Sequence, residues 1–259
     1  MAKFDVPVSL YMSSPIVAIR TRDSLERARS MLADHEVSAL PVVDEKDRVV
    51  GILSRTDLLR VGRREAGSRP GAALLMLPDR NAGDEMTHEV AILSHEASIA
   101  DAAGVMTQKR IHRVVIEDDG VPVGIFSTRD VMRVIREKRL NLPLSEIMSS
   151  PLFTVRHSEP LSLATDRLPK ARVTGLVVVE GEWPVGIFAQ EEALAARDLP
   201  LDTPVEDAMS PAILVLDETL PVHRAAAQAG ALDVRRIVVS RNGKPVGIVS
   251  GIDFAELAR

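Results

Sequence analysis

Three short loops in this chain follow a glycine-led apolar run with a hydroxyl and, three residues later, a carboxylate: Ser54-Arg-Thr56-Asp57, Ser127-Thr-Arg129-Asp130 and Ser250-Gly-Ile-Asp253. A fourth, Ala189-Gln-Glu-Glu192, keeps the frame but changes the polar residues. A recurrent hydroxyl and carboxylate are candidates for hydrogen bonding to a ligand. The same spacing is also the first-turn pattern of a helix, with a hydroxyl N-cap and an acid at N3. The two roles are compatible, because a capping Ser keeps a lone pair. Other chemistry is poorly supplied. The six His residues form no HExxH pair, and Gly243-Lys244 is an isolated dipeptide rather than a phosphate-binding loop. No Ser-centred nucleophile elbow occurs. The chain is therefore not expected to be an enzyme.

The loops recur because the chain repeats itself. Met12, Met86, Met148 and Met209 are each followed thirteen residues later by an apolar helix-start position, at Leu25, Ile99, Leu161 and Val222. Twelve further lie Val37, Ile111, Val173 and Val234, and then come Gly51, Gly124, Gly186 and Gly247. Four copies holding four spacings prescribe a repeat architecture. Each copy reads as β-α-β-β-α. A short strand comes first (16–19, 90–93, 152–155, 213–216), then a helix that Asp23 or Ser24 can cap in copy one and Ser98 in copy two. Pro169 should shorten the third of these helices. Two strands follow, joined by tight turns at Asp119-Gly120, Gly181 and Asn242-Gly243. A unit of about 55 residues buries too little surface to stand alone comfortably, so the copies should pair. The expected boundaries are 1–62, 82–138, 139–198 and 199–259, with a linker at 63–81. Around its start, residues 61–71 read as a Gly/Pro/Arg-rich loop and 72–77 as an apolar tail tucked onto the protein.

Composition sets the remaining bounds. The 259 residues are 46% hydrophobic and 27% charged, which is ordinary for a globular chain. Aromatics are 3%, so the core must be aliphatic, and the absence of Cys excludes disulfides and thiolate metal sites. A net charge of -5 gives no general attraction to nucleic acid. The apolar runs are too short to span a bilayer and no signal peptide is evident, so a cytoplasmic protein is expected.

The helix, the Leu40-Pro41-Val42-Val43 strand and the Gly-h-h-Ser/Thr-x-x-Asp loop resemble the CBS domain, and the resemblance covers nearly the whole chain as four tandem copies. The layout is similar to that of the gamma regulatory subunit of AMP-activated protein kinase and of free-standing prokaryotic CBS proteins. The resemblance implies an α+β fold in which adjacent copies pair into two pseudo-twofold (Bateman) modules that form a flat disc. It also implies an adenosine ligand, of which AMP, ADP and ATP are the expected forms. An Asp carboxylate can accept both ribose hydroxyls. A Ser or Thr near a helix N-terminus can hold phosphate with the help of the dipole and free N–H groups. Ile16, Val17 and Ala18 would sandwich the adenine. His112 and Arg113, within Ile-His-Arg, would hold phosphate, as would Arg129 and, in copy four, Arg235 and Arg236.

The best site is therefore expected to combine Ser54, Thr56 and Asp57 with His112, Arg113 and Arg129. The loops of Ser127 and Asp130 and of Ser250 and Asp253 come next. The Glu192 cleft should be empty or repurposed, since Ala189 cannot donate and Glu is one methylene longer. The resulting expectation is a regulatory sensor that signals energy state to a protein partner or works as a homodimer. Two alternatives stay open: an interaction scaffold with vestigial clefts, and a sensor of another adenosyl compound such as NAD or S-adenosylmethionine.

Overall fold

The computed structural model describes residues 4–66 and 73–259. The part of the linker at 67–72 lies outside the described residues. The chain divides into two compact units. The smaller comprises Pro7–Ala97 and Arg113–Phe126; the larger takes in Ser98–His112 and Ser127–Arg259.

Copy one contains β1 (Ile19–Arg20), α1 (Leu25–Asp34), β2 (Ala39–Val43), β3 (Val49–Ser54) and α2 (Arg55–Val61). The β1 strand lies parallel to β2, which pairs antiparallel with β3. Two antiparallel strands follow, β4 (Arg63–Ala66) and β5 (Ala73–Met76). Copy two has α3 (Ala82–Glu85), β6 (Ile92–Ser94), α4 (Ile99–Lys109), β7 (Arg113–Asp118), β8 (Val121–Ser127) and α5 (Thr128–Glu137). Copy three has β9 (Thr154–Arg156), α6 (Leu161–Ala171), β10 (Gly175–Glu180), β11 (Trp183–Ala189) and α7 (Gln190–Ala195). Copy four has β12 (Leu214–Asp217), α8 (Val222–Ala231), β13 (Arg236–Arg241), β14 (Lys244–Ser250) and α9 (Gly251–Ala258). Four three-stranded sheets of one design result, each with its first strand at an edge and the second in the centre.

Local chemistry explains most of these bounds. Ser24 caps α1 by accepting from the Arg27 N–H, and Ser98 and Asp101 form a reciprocal capping box on α4. Leu25, Ala28 and Leu32 are buried along one face of α1, as are Ile99, Ala102 and Met106 on α4. At the Asp119-Gly120 and Asn242-Gly243 turns all four residues have φ between 48° and 79°, which a type I′ hairpin requires. Three sequence expectations are corrected. The first strands begin later than the β-prone runs, so Ile16, Val17 and Ala18 lead into β1 instead of forming it. The third helix runs through Pro169 to Ala171. The proline sits in the last turn, where only one intrahelical bond is forfeited. The described residues of the linker pair as two antiparallel strands, where an irregular loop is expected, and Leu75 and Leu77 pack on the copy-one core.

The copies pair by exchange. In the smaller unit Ser13 bridges to Ile125 and Thr87 to Ile52. In the larger unit Ser149 bridges to Ile248 and Ser210 to Ile187. Each leading segment thus adds to the last strand of the other copy. The repeated glycines make this possible. A Cβ would come 2.2 Å from Met86 Sδ at Gly51, 2.6 Å from Met12 Sδ at Gly124, 2.5 Å from Met209 Sδ at Gly186 and 2.6 Å from Met148 Sδ at Gly247. Each of the four methionines therefore seats on a glycine of the sheet its leading segment joins. In the larger unit, α4 packs on α9, and α5 on α8 and α9, so copy two contributes helices here while its sheet belongs to the smaller unit.

Candidate functional site

Every candidate loop is built from the end of a strand and the first turn of a helix. In copy one, Asp57 Oδ2 accepts from the Ser54 N–H at 2.8 Å and from its hydroxyl at 2.6 Å, while Ser54 Oγ accepts from the Asp57 N–H at 3.3 Å. The carboxylate is only 5% exposed. Its other oxygen, Oδ1, lies 3.0 Å from Arg60. Thr56 stands partly buried between the capping pair. Ala39 lies opposite Ser54 in the sheet, so the small residue at the start of β2 borders the loop.

Copies two and four repeat this geometry in the larger unit. Asp130 Oδ2 accepts from the Ser127 N–H and hydroxyl, both at 2.8 Å, and Arg133 lies 3.7 Å from Oδ1. Asp253 Oδ2 accepts from the Ser250 N–H and hydroxyl at 2.6 and 2.7 Å. Asp253 Oδ1 accepts from the Ser149 hydroxyl of copy three at 3.1 Å. In copy three, Glu192 still reaches back to the Ala189 N–H at 3.0 Å. The capping role is thus realised in all four copies. In copies one, two and four the cap uses Oδ2 and leaves Oδ1 to face a second group.

Burial acts on the charge of Asp130. Desolvation pushes the Asp130 carboxyl above its ordinary value of 3.8, against the opposing pull of Ser127 and Arg133. A carboxyl with a raised folded-state pKa contributes stability that is full below the unfolded value and is lost as pH rises through the folded one. Asp130→Asn should therefore remove a decline in stability from about pH 4 upward. Melting curves of the two proteins across pH would check this; parallel curves would contradict it.

The expected cations are held by neighbouring groups. Arg129 forms an ion pair with Asp233. Arg235 pairs with Glu191 at 2.8 Å, and Arg236 Nη2 donates to the Thr174 carbonyl at 3.1 Å. His112 is exposed, and its carbonyl accepts from the Thr128 N–H at the start of α5. Arg113 opens β7 and is partly buried. Ser54, Thr56, Asp57 and Arg113, with Ile16, Val17 and Ala18, belong to the smaller unit. His112, Ser127, Arg129, Asp130, Arg235, Arg236, Ser250 and Asp253 belong to the larger.

The residue after each landmark methionine is one the sequence reading passed over. Ser13, Thr87, Ser149 and Ser210 all carry a hydroxyl. Each is bridged to the residue two before a candidate loop of the paired copy. The Ser149–Asp253 bond shows what such a hydroxyl reaches. The signal was available, since four methionines in register are each followed by Ser or Thr.

Among the described residues no cluster of His, Cys, Asp and Glu could hold a metal ion, and no helix is long and apolar enough to cross a membrane. A cleft of about 420 Å³ lies beside the β4–β5 strand pair, lined by Val61, Arg63, Met76, Leu77, Pro78 and Arg80, and none of the candidate residues lines it.

Comparison with known proteins bears on this geometry. The sequence model of the CBS domain matches residues 5–64, 82–137, 144–198 and 205–258, well over half of the chain. An uncharacterized 33.4 kDa protein in the ribosomal RNA operon of Thermofilum pendens is 26% identical over 191 residues, 68% of this chain and 59% of that protein. The chain thus spans less than two thirds of that relative's length. Among solved structures, protein MJ1225 of Methanocaldococcus jannaschii, proposed as an archaeal homolog of g-AMPK, superposes with a TM-score of 0.76 at 17% identity, covering 98% of this chain and all of that one. An uncharacterized conserved protein from Pyrococcus horikoshii gives 0.69 at 21% identity, with coverage of 98% and 100%. At these identities the likeness concerns the fold.

Proposed function

This chain belongs to the CBS domain family, and on that premise we propose that it is a non-catalytic regulatory module that binds adenine nucleotides and signals their level to a partner. CBS domains are generally regulatory and bind adenosyl ligands. The observation that carries the reading is the shared geometry of the Asp57, Asp130 and Asp253 loops. Each fixes a carboxylate at a helix start, with one oxygen capping and the other turned to a second group.

In this reading the Oδ1 atoms accept the ribose hydroxyls, displacing Arg60 from Asp57 and Ser149 from Asp253. Ser54, Thr56, Ser127 and Ser250 serve the phosphate end, where helix N–H groups favour an anion. Ile16, Val17 and Ala18 flank the adenine. Arg113 supplies positive charge in the smaller unit, and His112 and Arg129 supply it in the larger. Arg129 would exchange Asp233 for phosphate, an ion-pair swap that costs little at an exposed site. The four copies are proposed to act as domains at 1–62, 82–138, 139–198 and 199–259, joined by the linker 63–81. Signalling to a protein partner or a second copy requires that nucleotide bind two conformations unequally.

One observation favours the scaffold reading for part of the molecule: copy three lacks the capping hydroxyl, and its acids are engaged with Arg235 and Ala189. A thermal-shift screen with AMP, ADP, ATP, NAD and S-adenosylmethionine tests the proposal. At least one of AMP, ADP and ATP should raise the melting temperature in a concentration-dependent way, by mass action on the folded state. A response to none of those three would refute it; a response to NAD or S-adenosylmethionine alone would redirect it to another adenosyl ligand.

A further inference from the structure

We infer that Arg236 is an internal occupant of the copy-three loop, holding copies three and four together in the place a ligand would need. This extends the nucleotide-binding reading and rests on it. Arg236 opens β13 at the repeat position held by Ala39 in copy one, Arg113 in copy two and Gly175 in copy three. Its guanidinium crosses to copy three and lies against Gly175. A Cβ on that glycine would come 3.1 Å from Nε and 3.4 Å from Cζ. The same Cβ would lie 3.4 Å from Ala189 Cβ, so the guanidinium and the alanine that replaces the capping serine both border the space at Gly175. Nη2 donates to the Thr174 carbonyl at 3.1 Å, closing the strap on the backbone just before β10.

The departures of copy three then form one arrangement. Gly175 and Ala189 together leave a place for a planar cation. Glu192 uses the Ala189 N–H for its own carboxylate. Glu191 ties down the neighbouring Arg235 at 2.8 Å. An anion approaching this loop meets two carboxylates, and the arginines that would attract it already have partners. Copy one has Thr56 where copy three has Glu191, and Asp57 where it has Glu192. A ligand in copy three must displace this partly buried guanidinium.

The test is the stoichiometry of AMP binding by calorimetric titration of the full chain. Ala189→Ser with Glu192→Asp rebuilds the Ser-x-x-Asp loop while leaving the strap. This double variant is expected to bind the same number of equivalents as the native protein. Adding Arg236→Ala, which reproduces the residue type of Ala39, should raise the count by one equivalent. Arg236→Gly in the same background, reproducing Gly175, is the second version should the alanine form melt below the assay temperature. The inference is overturned if the double variant alone gains an equivalent, if removing the arginine from it gains none, or if Arg236→Ala in the native background loses one. The native titration separates the two proposals. Binding by the native chain without a gain on removing the arginine refutes the strap alone. A gain in the variant when the native chain binds nothing refutes the nucleotide reading of the native loops and leaves the strap standing.

Discussion

Gly124→Ala should destabilise the protein by about 3 kcal/mol, at the upper end of what one added methyl costs in a packed site. The new Cβ would stand 2.6 Å from Met12 Sδ and 2.9 Å from the Ser13 carbonyl. The sulfur can swing away, but the carbonyl cannot, because Ser13 exchanges two backbone hydrogen bonds with Ile125 at 2.9 and 3.1 Å. Gly51 offers the contrast. The three atoms nearest to its Cβ would all belong to the Met86 side chain, with no backbone atom among them. Gly51→Ala should therefore cost about 1 kcal/mol, and Met86→Ala should recover most of that loss in a double-mutant cycle. Met12→Ala should not rescue Gly124→Ala. Urea midpoints for the two cycles measure this directly. Equal losses at the two glycines, or rescue at Gly124, would show that the bridged carbonyl is not what excludes a side chain.

The second large effect is on affinity. Asp57→Ala should weaken adenine-nucleotide binding at copy one about 100-fold, since two hydrogen bonds from ribose to a charged acceptor are worth roughly 3 kcal/mol together. The same change removes a helix cap and should cost about 1 kcal/mol of stability. Capping and binding must therefore be separated. Asp101 provides the control, because it caps α4 with the same bonds, from the Ser98 N–H at 3.0 Å and its hydroxyl at 2.6 Å, outside the glycine-led candidate loops. Asp101→Ala should lose comparable stability and leave binding at its native level. Equal binding by the two variants would reduce Asp57 to a cap.

Much of the fold was legible because it is encoded locally and written four times. Ser24 and Ser98 as caps, the apolar faces of α1 and α4, and the Asp-Gly and Asn-Gly turns each depend on residues within a few positions of one another. The failures have a common cause as well. Pro169 reads as a helix breaker by propensity, yet its place in the last turn makes the penalty small. The strands begin after Ile16, Val17 and Ala18 because pairing with β2, not β-propensity, sets where the ladder starts. Leu75 and Leu77 pack on the copy-one core, as an apolar tail at 72–77 suggests, but the pairing of β4 with β5 is one that no local pattern announces.

The candidate site divides in the same way. The Ser54–Asp57, Ser127–Asp130 and Ser250–Asp253 pairs follow from a three-residue spacing at a helix start, which serves capping and ligand binding alike. What engages the cations does not follow from spacing. Arg129 meets Asp233 across more than a hundred positions, and Arg235 and Arg236 meet Glu191 and Thr174 from a different copy. Such partners are fixed by how copies pack, which periodicity alone leaves open. The hydroxyls of Ser13, Thr87, Ser149 and Ser210 lie between these cases. Their register was visible, but their purpose emerges only once the leading segments are seen to exchange.

A crystal structure of the chain grown with AMP tests the central claim most directly. The account predicts both ribose hydroxyls within about 3 Å of a carboxylate oxygen of Asp57 that the cap leaves available, with Arg60 displaced. Nucleotide bound elsewhere while Asp57 keeps Ser54 and Arg60 as its partners would contradict it.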